Sequence, residues 1–279
     1  MLTKRLIACF DVISGRVIKA RQFQNNIDID SAESVAEKVY QAQIDEIIFY
    51  DITASSQKRR IDLETVRGVA KRVFVPFTVG GGIKNLRQMY EVLKAGAEKI
   101  SIDSMAVRNP KIIKQGSDAF GRQCIVLSMQ AKRVPKTARI PSGYEIAIDG
   151  ARVFTGMDAV QWARKGEELG AGEICLNSID RNGTHKGYDI EITSLVCHAV
   201  TIPVIASGGA GNIQHLIEVF TETEASAGII SSMLYSPKMK NYSVQEIKRQ
   251  LMKRRIDVRP WIDNNRVQYA SKTRERDEP

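Results

Sequence analysis

The chain contains the same short motif twice, and this repeat constrains the fold more than any other feature. One copy reads PFTVGGGIKN from Pro76 to Asn85, and the other reads PVIASGGAGN from Pro203 to Asn212, 127 residues later. Each copy starts as an apolar, strand-like run, breaks into small residues and continues into a helical pattern. Glycines between a buried strand and a helix expose backbone N–H groups at a positive dipole end, which suits a phosphate. The repeat therefore predicts a ligand with two phosphates, or a duplicated barrel with one site in each half.

Strand-like and helix-like segments alternate along most of the chain. The strand-like segments, such as IIFYDI at 47–52 and EICLNS at 173–178, are continuous apolar runs. Such runs are typical of a parallel sheet that is buried on both faces. Eight βα units predict one domain over residues 1–256, an α/β fold of the (β/α)8 or TIM barrel type, with a doubly wound open sheet as the alternative. The polar residues 257–279 are predicted to form a charged, flexible tail.

The segment boundaries follow from apolar runs, helical spacing and turn residues. The predicted strands cover residues 5–12, 47–52, 73–79, 99–103, 123–129, 173–178, 202–206 and 226–231. The predicted helices cover residues 31–43, 60–71, 85–96, 110–119, 157–169, 189–199, 211–221 and 243–254. A short hairpin is predicted at 16–23, and a longer connection without assigned structure at 131–156.

The two halves resemble each other beyond the glycine motif. The run EIIFYDI in the first half aligns with EICLNSI in the second, and IDSMAVRNP aligns with IISSMLYSP. The repeat indicates two fused half-barrels of four βα units each. It places Asp11 and Gln130 at equivalent positions, at the carboxyl ends of strands one and five. Barrel enzymes carry their catalytic groups at those ends.

The composition narrows the function further. The net charge of +9 favours an anionic partner such as a phosphorylated substrate, although a solvated basic surface explains it equally. Aromatic residues do not interleave with the basic clusters, so nucleic-acid binding is not predicted. No long apolar run and no signal peptide are recognised, so we expect no membrane span and a cytoplasmic location. Four scattered cysteines and three scattered histidines predict free thiols and no metal site or cofactor.

Seven runs of the chain together resemble one protein family. They occur in order over residues 1–256 and read LTKRLIACFDV, DITASS, VGGGI, AVRNP, GAGEI, DRNGTHKGYD and PVIASGGAG. The family is the cyclase subunit of imidazole glycerol phosphate synthase. The resemblance implies a (β/α)8 barrel that forms a heterodimer with a glutaminase (glutamine amidotransferase) subunit in histidine biosynthesis. Ammonia from the glutaminase would cross the barrel and react with a phosphorylated ribulosyl aminoimidazole carboxamide nucleotide, which gives imidazole glycerol phosphate and aminoimidazole carboxamide ribotide.

The resemblance also implies roles for individual residues at the carboxyl face. Asp11 matches a catalytic aspartate, which can take a proton from ammonia or from the imine-forming centre. Lys19 matches a loop lysine that contacts the substrate. Glycine turns without a ligand and a solvated lysine remain the simpler interpretations. The residues that match phosphate-binding positions are Gly82, Gly183, Ser207, Gly208, Gly209, Ser231 and Ser232.

Four positions depart from the family pattern. Gln130 stands where the family has a second catalytic aspartate, and its amide can form hydrogen bonds but cannot exchange a proton. Asp103 replaces a phosphate-binding asparagine, and an ionised carboxylate there would repel a phosphate by roughly 1–4 kcal/mol at about 4 Å. Asn182 replaces an aspartate, and Asn177 replaces a threonine. These departures leave the identity of the substrate open.

The opposite end of the predicted barrel keeps the family pattern. Arg5, Glu46, Lys99 and Glu173 match a ring of alternating charges that gates an ammonia channel. Two cations and two anions at the amino ends of strands one, two, four and six can form a closed ring of salt bridges. An ordinary surface ion network is the alternative interpretation.

Three functions are compatible with these residues. The first is the family activity, that of a lyase or cyclase subunit fed with ammonia. The second is a paralogue that passes ammonia to another substrate, such as a surface sugar to be amidinated. The third is a stand-alone phosphosugar isomerase, which would lack one of its paired aspartates and leave the charged ring unexplained.

Overall fold

A computed structural model describes residues 3–21, 24–54, 57, 59–235 and 241–261. Its strands are β1 (Arg5–Ile13), β2 (Arg16–Arg21), β3 (Gln24–Ser31), β4 (Glu46–Asp51), β5 (Phe77–Gly80), β6 (Lys99–Ile102), β7 (Ile125–Arg133), β8 (Tyr144–Ile148), β9 (Val153–Asp158), β10 (Glu173–Ser178), β11 (Val204–Ser207) and β12 (Ala227–Ile229). Its α-helices are α1 (Ala32–Gln41), α2 (Leu63–Ala70), α3 (Leu86–Lys94), α4 (Ser104–Arg108), α5 (Lys111–Phe120), α6 (Ala159–Glu168), α7 (Ile190–Ala199), α8 (Ile213–Glu222), α9 (Ser231–Tyr235) and α10 (Val244–Lys253).

Eight of these strands form a closed parallel barrel. The order round the barrel is β1, β4, β5, β6, β7, β10, β11 and β12, and β12 pairs with β1 to close it. Every barrel strand is hydrogen-bonded on both sides, so no edge is left open. The closure confirms the predicted (β/α)8 barrel and excludes the doubly wound open sheet.

The two half-barrels begin in the same way. β1 and β7 are each nine residues long, and each extends beyond the barrel into an antiparallel hairpin. A hairpin was predicted at 16–23, but the observed one is longer, because its second strand, β3, covers Gln24–Ser31. The hairpin after β7 consists of β8 and β9. It lies in the connection 131–156, for which the sequence predicted no structure, and runs two residues past it to Asp158. The internal repeat therefore extends beyond the barrel strands into the hairpins that follow β1 and β7.

Several boundaries differ from the predicted ones for local reasons. The segment 73–79 was predicted as one strand, but β5 begins only at Phe77. Pro76 lacks an N–H group for the sheet, and its carbonyl oxygen accepts from Ile47 N at 2.9 Å. The short helices α4 and α9 were not predicted, because five residues are too few to show a helical period.

Apolar residues are buried on both faces of the barrel strands. On β1, Leu6 and Phe10 pack towards the helices, whereas Ile7 packs inside the barrel. This two-sided burial explains the continuous apolar runs in the sequence. No helix in the described part of the chain is long and apolar enough to cross a membrane.

The chain stays packed against the barrel just past the predicted domain boundary. Val258 forms a parallel bridge with Lys4, and Lys4 N donates to Asp257 O at 2.7 Å. Most of the predicted tail, residues 262–279, lies outside the described residues.

Candidate active site

The inward-facing side chains of the barrel strands line the interior from one end of the barrel to the other. Successive residues of a strand point to opposite faces, so positions two apart share a face. On β1 the inward positions are Arg5, Ile7, Cys9 and Asp11, from the amino end to the carboxyl end. The neighbouring strands follow the same order. The interior therefore has a charged ring at the amino ends, an apolar middle and a polar mouth at the carboxyl ends.

The charged ring joins the four residues that were predicted to form it. Lys99 Nζ lies 2.9 Å from Glu46 Oε1 and 2.8 Å from Glu173 Oε2. Arg5 Nη1 lies 2.5 Å from Glu46 Oε2, and Arg5 Nη2 donates to Glu173 Oε1 and to Ser226 Oγ. Each cation bridges both carboxylates. The ring therefore closes the amino end of the barrel.

The ring is largely shielded from water. Glu46 and Glu173 are buried, and Arg5 and Lys99 are half-buried. Burial alone would lower the pKa of Lys99, but the charges of Glu46 and Glu173 outweigh it and hold that pKa above its usual value. The pKa of Arg5 is raised by the same balance. The two carboxylates therefore favour the charged forms of Lys99 and Arg5 although both cations are half-buried.

The middle of the barrel is apolar apart from one cluster of hydroxyl groups. Tyr50 Oη lies 3.0 Å from Ser101 Oγ and donates to Ser128 Oγ at 3.3 Å. A Cβ atom added at Gly80 would lie 2.6 Å from the Tyr50 ring, so the glycine makes room for the tyrosine. The surrounding apolar residues are Ile7, Ile48, Val126, Cys175, Ile205, Ala227 and Ile229. Tyr50 was not among the predicted site residues, although its position on the inward face of β4 follows from the alternation of side chains along a strand.

A chain of hydrogen bonds crosses the mouth from β11 to the end of β6. Ser207 Oγ donates to Asn177 Oδ1 at 3.2 Å, and Asn177 Nδ2 donates to Gln130 Oε1 at 2.6 Å. Gln130 Nε2 in turn lies 3.5 Å from Asp103 Oδ2. The structure therefore brings together three of the four positions that depart from the family pattern.

Asp103 lies at the carboxyl end of β6, directly before α4. Its side chain makes no capping hydrogen bond to that helix. Burial raises the pKa of Asp103 to about 7, the hydrogen bond from Gln130 opposes this, and the charge of Asp149 adds to it. A neutral carboxylic acid does not repel a phosphate, so the repulsion expected from a fully ionised Asp103 is reduced at neutral pH.

Asp11 lies at the carboxyl end of β1, opposite Tyr50 in the register with β4, and is partly exposed at the mouth. Two residues before it, Cys9 is tied to α9. Ser231 Oγ donates to Cys9 O at 2.7 Å and accepts from Cys9 N at 2.8 Å, and Tyr235 Oη also donates to Cys9 O. The Ser231 hydroxyl thus fixes the strand that carries Asp11. Ser232 follows Ser231 in α9 and is also buried.

The two glycine motifs adopt matching backbones. In the second copy, Gly208 and Gly209 have φ angles of 91° and 101°, which favour glycine. In the first copy, Gly81 and Gly82 have φ angles of 101° and 68°. Each motif then leads into an asparagine that caps the following helix, Asn85 before α3 and Asn212 before α8. Both motifs therefore present backbone N–H groups at a helix start.

The loop after β10 packs on the second glycine motif. A Cβ atom added at Gly208 would lie 3.3 Å from Asn182 N, so the two backbones are in close contact. Asn182 N donates to Ser178 O at 2.9 Å, and Gly183 has a φ angle of 71°. The structure thus places the predicted residues Asn182 and Gly183 beside Ser207, Gly208 and Gly209.

Lys19 is the predicted site residue that the structure describes least. Its backbone lies in β2 and pairs with Ile27 of β3. Its side chain lies outside the described part of the structure.

The chain is similar to known proteins over nearly its whole length. A family model described as "Histidine biosynthesis protein" matches residues 5–240. The imidazole glycerol phosphate synthase subunit HisF of Desulfatibacillum aliphaticivorans is 52% identical over 262 residues, which covers 94% of this chain and 100% of the relative. The subunits HisF of Desulfosudis oleivorans and Syntrophobacter fumaroxidans are 51% and 52% identical over 259 residues, with 93% of this chain and 99% of each relative covered.

Proposed function

The chain belongs to the histidine biosynthesis protein family, with the cyclase subunits of imidazole glycerol phosphate synthase, and from this membership we propose how its residues carry the reaction. It is accordingly an enzyme subunit with cyclase activity in histidine biosynthesis. The roles proposed for individual residues rest on one observation. A closed ring of charges lies at one end of the barrel and a polar mouth at the other, with an apolar interior between them.

The substrate binds at the mouth, with its phosphates at the two glycine motifs. Gly82 belongs to one motif, and Gly208 and Gly209 belong to the other. Backbone N–H groups at the starts of α3 and α8 suit a doubly phosphorylated nucleotide, because each attracts one phosphate group. Asn182 and Gly183 lie beside Ser207 in the second motif, and Ser232 follows β12. Lys19, whose backbone lies in β2, is proposed as a further substrate contact.

A glutaminase subunit docks at the amino end of the barrel. The relatives are named as subunits of a synthase, and the charged ring offers an entry for ammonia at that end. Lys99 is the member that moves, because among the described residues its polar contacts are those to Glu46 and Glu173, whereas Arg5 is also held by Ser226. Neutral ammonia then crosses the apolar interior, where ammonium would be strongly disfavoured.

Asp11 takes a proton from the nitrogen of the attacking ammonia. Its place at the end of β1, beside the interior through which ammonia arrives, supports this role. Gln130 cannot exchange a proton and serves as a hydrogen-bonding group. Removal of the Asp11 carboxylate should lower kcat by about 10²- to 10⁴-fold.

The test uses the chain together with a glutaminase subunit from a close relative. Formation of imidazole glycerol phosphate is measured with glutamine and, separately, with an ammonium salt. We expect turnover with both sources and stimulation of glutamine hydrolysis by the barrel subunit. Turnover with ammonium alone, without binding or stimulation of the glutaminase, would overturn the proposed partner.

The relatives give no support to the alternative of a surface-sugar substrate. Growth of a histidine auxotroph that lacks its own cyclase subunit separates the two functions. Expression of this chain should restore growth without added histidine, and failure to restore it in the presence of a matching glutaminase would contradict the cyclase assignment.

A further inference from the structure

Asp103 differs from two other carboxylates near the mouth, each of which is paired with a cation. Asp51 is paired with Arg59 at 2.6 Å, and Asp180 is paired with Lys132. Asp103 has no salt bridge with any residue that the structure describes, and its one side-chain hydrogen bond comes from an uncharged amide. A carboxyl group that is partly buried and unpaired gains or loses a proton easily near neutral pH.

The charged groups described near Asp103 do not pair with its carboxylate. The charge of Arg108 in α4 lowers the pKa of Asp103, but Arg108 is itself paired with Asp149 in the turn between β8 and β9. On the side of β7, the facing group is the neutral Gln130. Burial and the charge of Asp149 therefore outweigh Arg108, and the pKa of Asp103 rises to about 7.

The chemistry of the two amides fixes the direction of the hydrogen-bond chain. An amide oxygen only accepts and an amide nitrogen only donates. Since Ser207 donates to Asn177 Oδ1, the Asn177 nitrogen faces Gln130 Oε1, and the Gln130 nitrogen faces Asp103. The amide of Gln130 is therefore held with its donor towards the Asp103 carboxylate.

We propose that Asp103 exchanges protons with the substrate during the cyclase reaction and that Gln130 positions its carboxylate. The assignment rests on the proposed function. The residues at positions 130 and 103 then compensate each other. Gln130 leaves β7 without a carboxylate, and Asp103 supplies one at the end of the adjacent strand, with Gln130 Nε2 and Asp103 Oδ2 3.5 Å apart.

The proposed step is balanced in protons and electrons. The ring-forming nitrogen, which came from ammonia, attacks the carbon of a C=N bond through its lone pair, and the π electrons of that bond move to the nitrogen of the aminoimidazole. The attacking nitrogen becomes positively charged and loses a proton to the Asp103 carboxylate, and the Asp103 carboxylic acid gives this proton to the aminoimidazole nitrogen. The C–N bond to aminoimidazole carboxamide ribotide then breaks, and the departing nitrogen keeps the electron pair. It takes a second proton through Asp103, which the new ring releases as it becomes aromatic, so Asp103 ends as the carboxylate and no further co-reactant is needed.

The decisive variant is Asp103→Asn, measured in the complex with glutaminase and also with ammonium salt. A proton-exchanging role predicts a kcat about 10²- to 10⁴-fold lower, with KM unchanged or lower. The double variant Asp103→Asn with Gln130→Asp moves the carboxylate to β7 and should recover kcat to within about 10-fold of the unchanged protein. Asp118→Asn, an exposed carboxylate on α5, is the matched control and should change neither constant.

The pH profile tests the role independently of folding. Because the carboxylate form starts the step, kcat should fall as the pH drops below about 7 in the unchanged protein. Asp149→Asn removes the anion that raises the pKa of Asp103, so the fall in kcat should move to lower pH. The amide in Asp103→Asn does not titrate, so this fall should disappear from its residual activity.

The outcomes separate this proposal from the proposed function. Three results would each overturn the role of Asp103 and leave the cyclase assignment intact. The first is an unchanged kcat in Asp103→Asn, and the second is a change in KM alone, as expected of a phosphate contact. The third is a lowered kcat that the added Gln130→Asp does not recover. An unchanged protein that turns over neither with glutamine nor with ammonium would overturn the cyclase assignment and this role together.

Discussion

Lys99 Nζ donates to Glu173 Oε2 at 2.8 Å across the amino end of the barrel, although 74 positions separate the two residues in the chain. The contact exists because both residues begin an inward-facing row, Lys99 on β6 and Glu173 on β10. It closes a ring in which each charge has two neighbours of opposite sign. The ring, the interior and the mouth together lead to four testable predictions.

Lys99→Met should loosen the coupling between glutamine hydrolysis and product formation. The variant leaves two buried carboxylates with a single cation, Arg5, and an excess of buried charge lowers the free energy of unfolding by up to about 3–5 kcal/mol. The number of glutamines hydrolysed per product should rise, whereas turnover with ammonium salt should stay within about threefold of normal. Lys114→Met on the exposed face of α5 is the matched control. A ratio that stays at one glutamine per product would contradict the gating role.

Gly80→Ala should destabilise the barrel mainly through its contact with the ring of Tyr50, with a looser contact at 3.0 Å to Ser101 Cβ. The new methyl group would lie 2.6 Å from the ring, and such overpacking typically lowers the free energy of unfolding by about 1–3 kcal/mol. In a Tyr50→Leu background the same change should lower it by less than about 1 kcal/mol, since the ring is absent. Denaturant unfolding of the four proteins measures the coupling. Equal effects of Gly80→Ala in both backgrounds would show that the tyrosine does not occupy this place.

Asp103→Asn should stabilise the folded protein at high pH. The pKa of Asp103 is raised in the folded state, so between pH 4 and pH 7 the folded state binds more protons than the unfolded state, and stability falls as the pH rises. Asparagine does not titrate, so the variant does not lose this stability as the pH rises. Its free energy of unfolding should exceed that of the unchanged protein by about 1–3 kcal/mol at pH 8. The difference should shrink towards pH 5, and Asp118→Asn should show no such trend. A constant difference across this pH range would contradict the raised pKa.

Gly209→Ala should weaken substrate binding more than a comparable glycine substitution elsewhere. Its φ angle is 101°, and the added Cβ atom would lie 2.0 Å from Gly187 O, so the backbone of the second motif must shift. We expect KM for the phosphorylated substrate to rise by about 10-fold or more, which corresponds to about 1.4 kcal/mol. Gly150→Ala, at a φ angle of 67° but with only ordinary van der Waals contacts of 3.8 Å or more to Arg152, is the control for backbone strain alone. Equal KM values for the two variants would remove the second motif from the binding site.

Local patterns sufficed to predict the elements that position the site. The apolar runs of β4 and β10, the glycines at 81–82 and 208–209, and the asparagine caps that follow them are readable because each involves residues close together in the chain. The hairpin formed by β8 and β9 was not readable. Its pairing depends on the extension of β7 beyond the barrel, and the sequence of 131–156 shows no clear alternation.

Local sequence patterns specify the eight βα units, the repeat of the two halves and the four charges that begin their strands. They also show that a carboxylate is missing at Gln130 and that one is present at Asp103. The side chains of Gln130 and Asp103 meet, with Asn177 and Ser207 behind them, because closure of the barrel brings together strands from distant parts of the chain, and no local pattern contains this contact. The same packing decided the proton affinity of Asp103, since the pKa of a carboxyl group depends on its burial and on the charges around it.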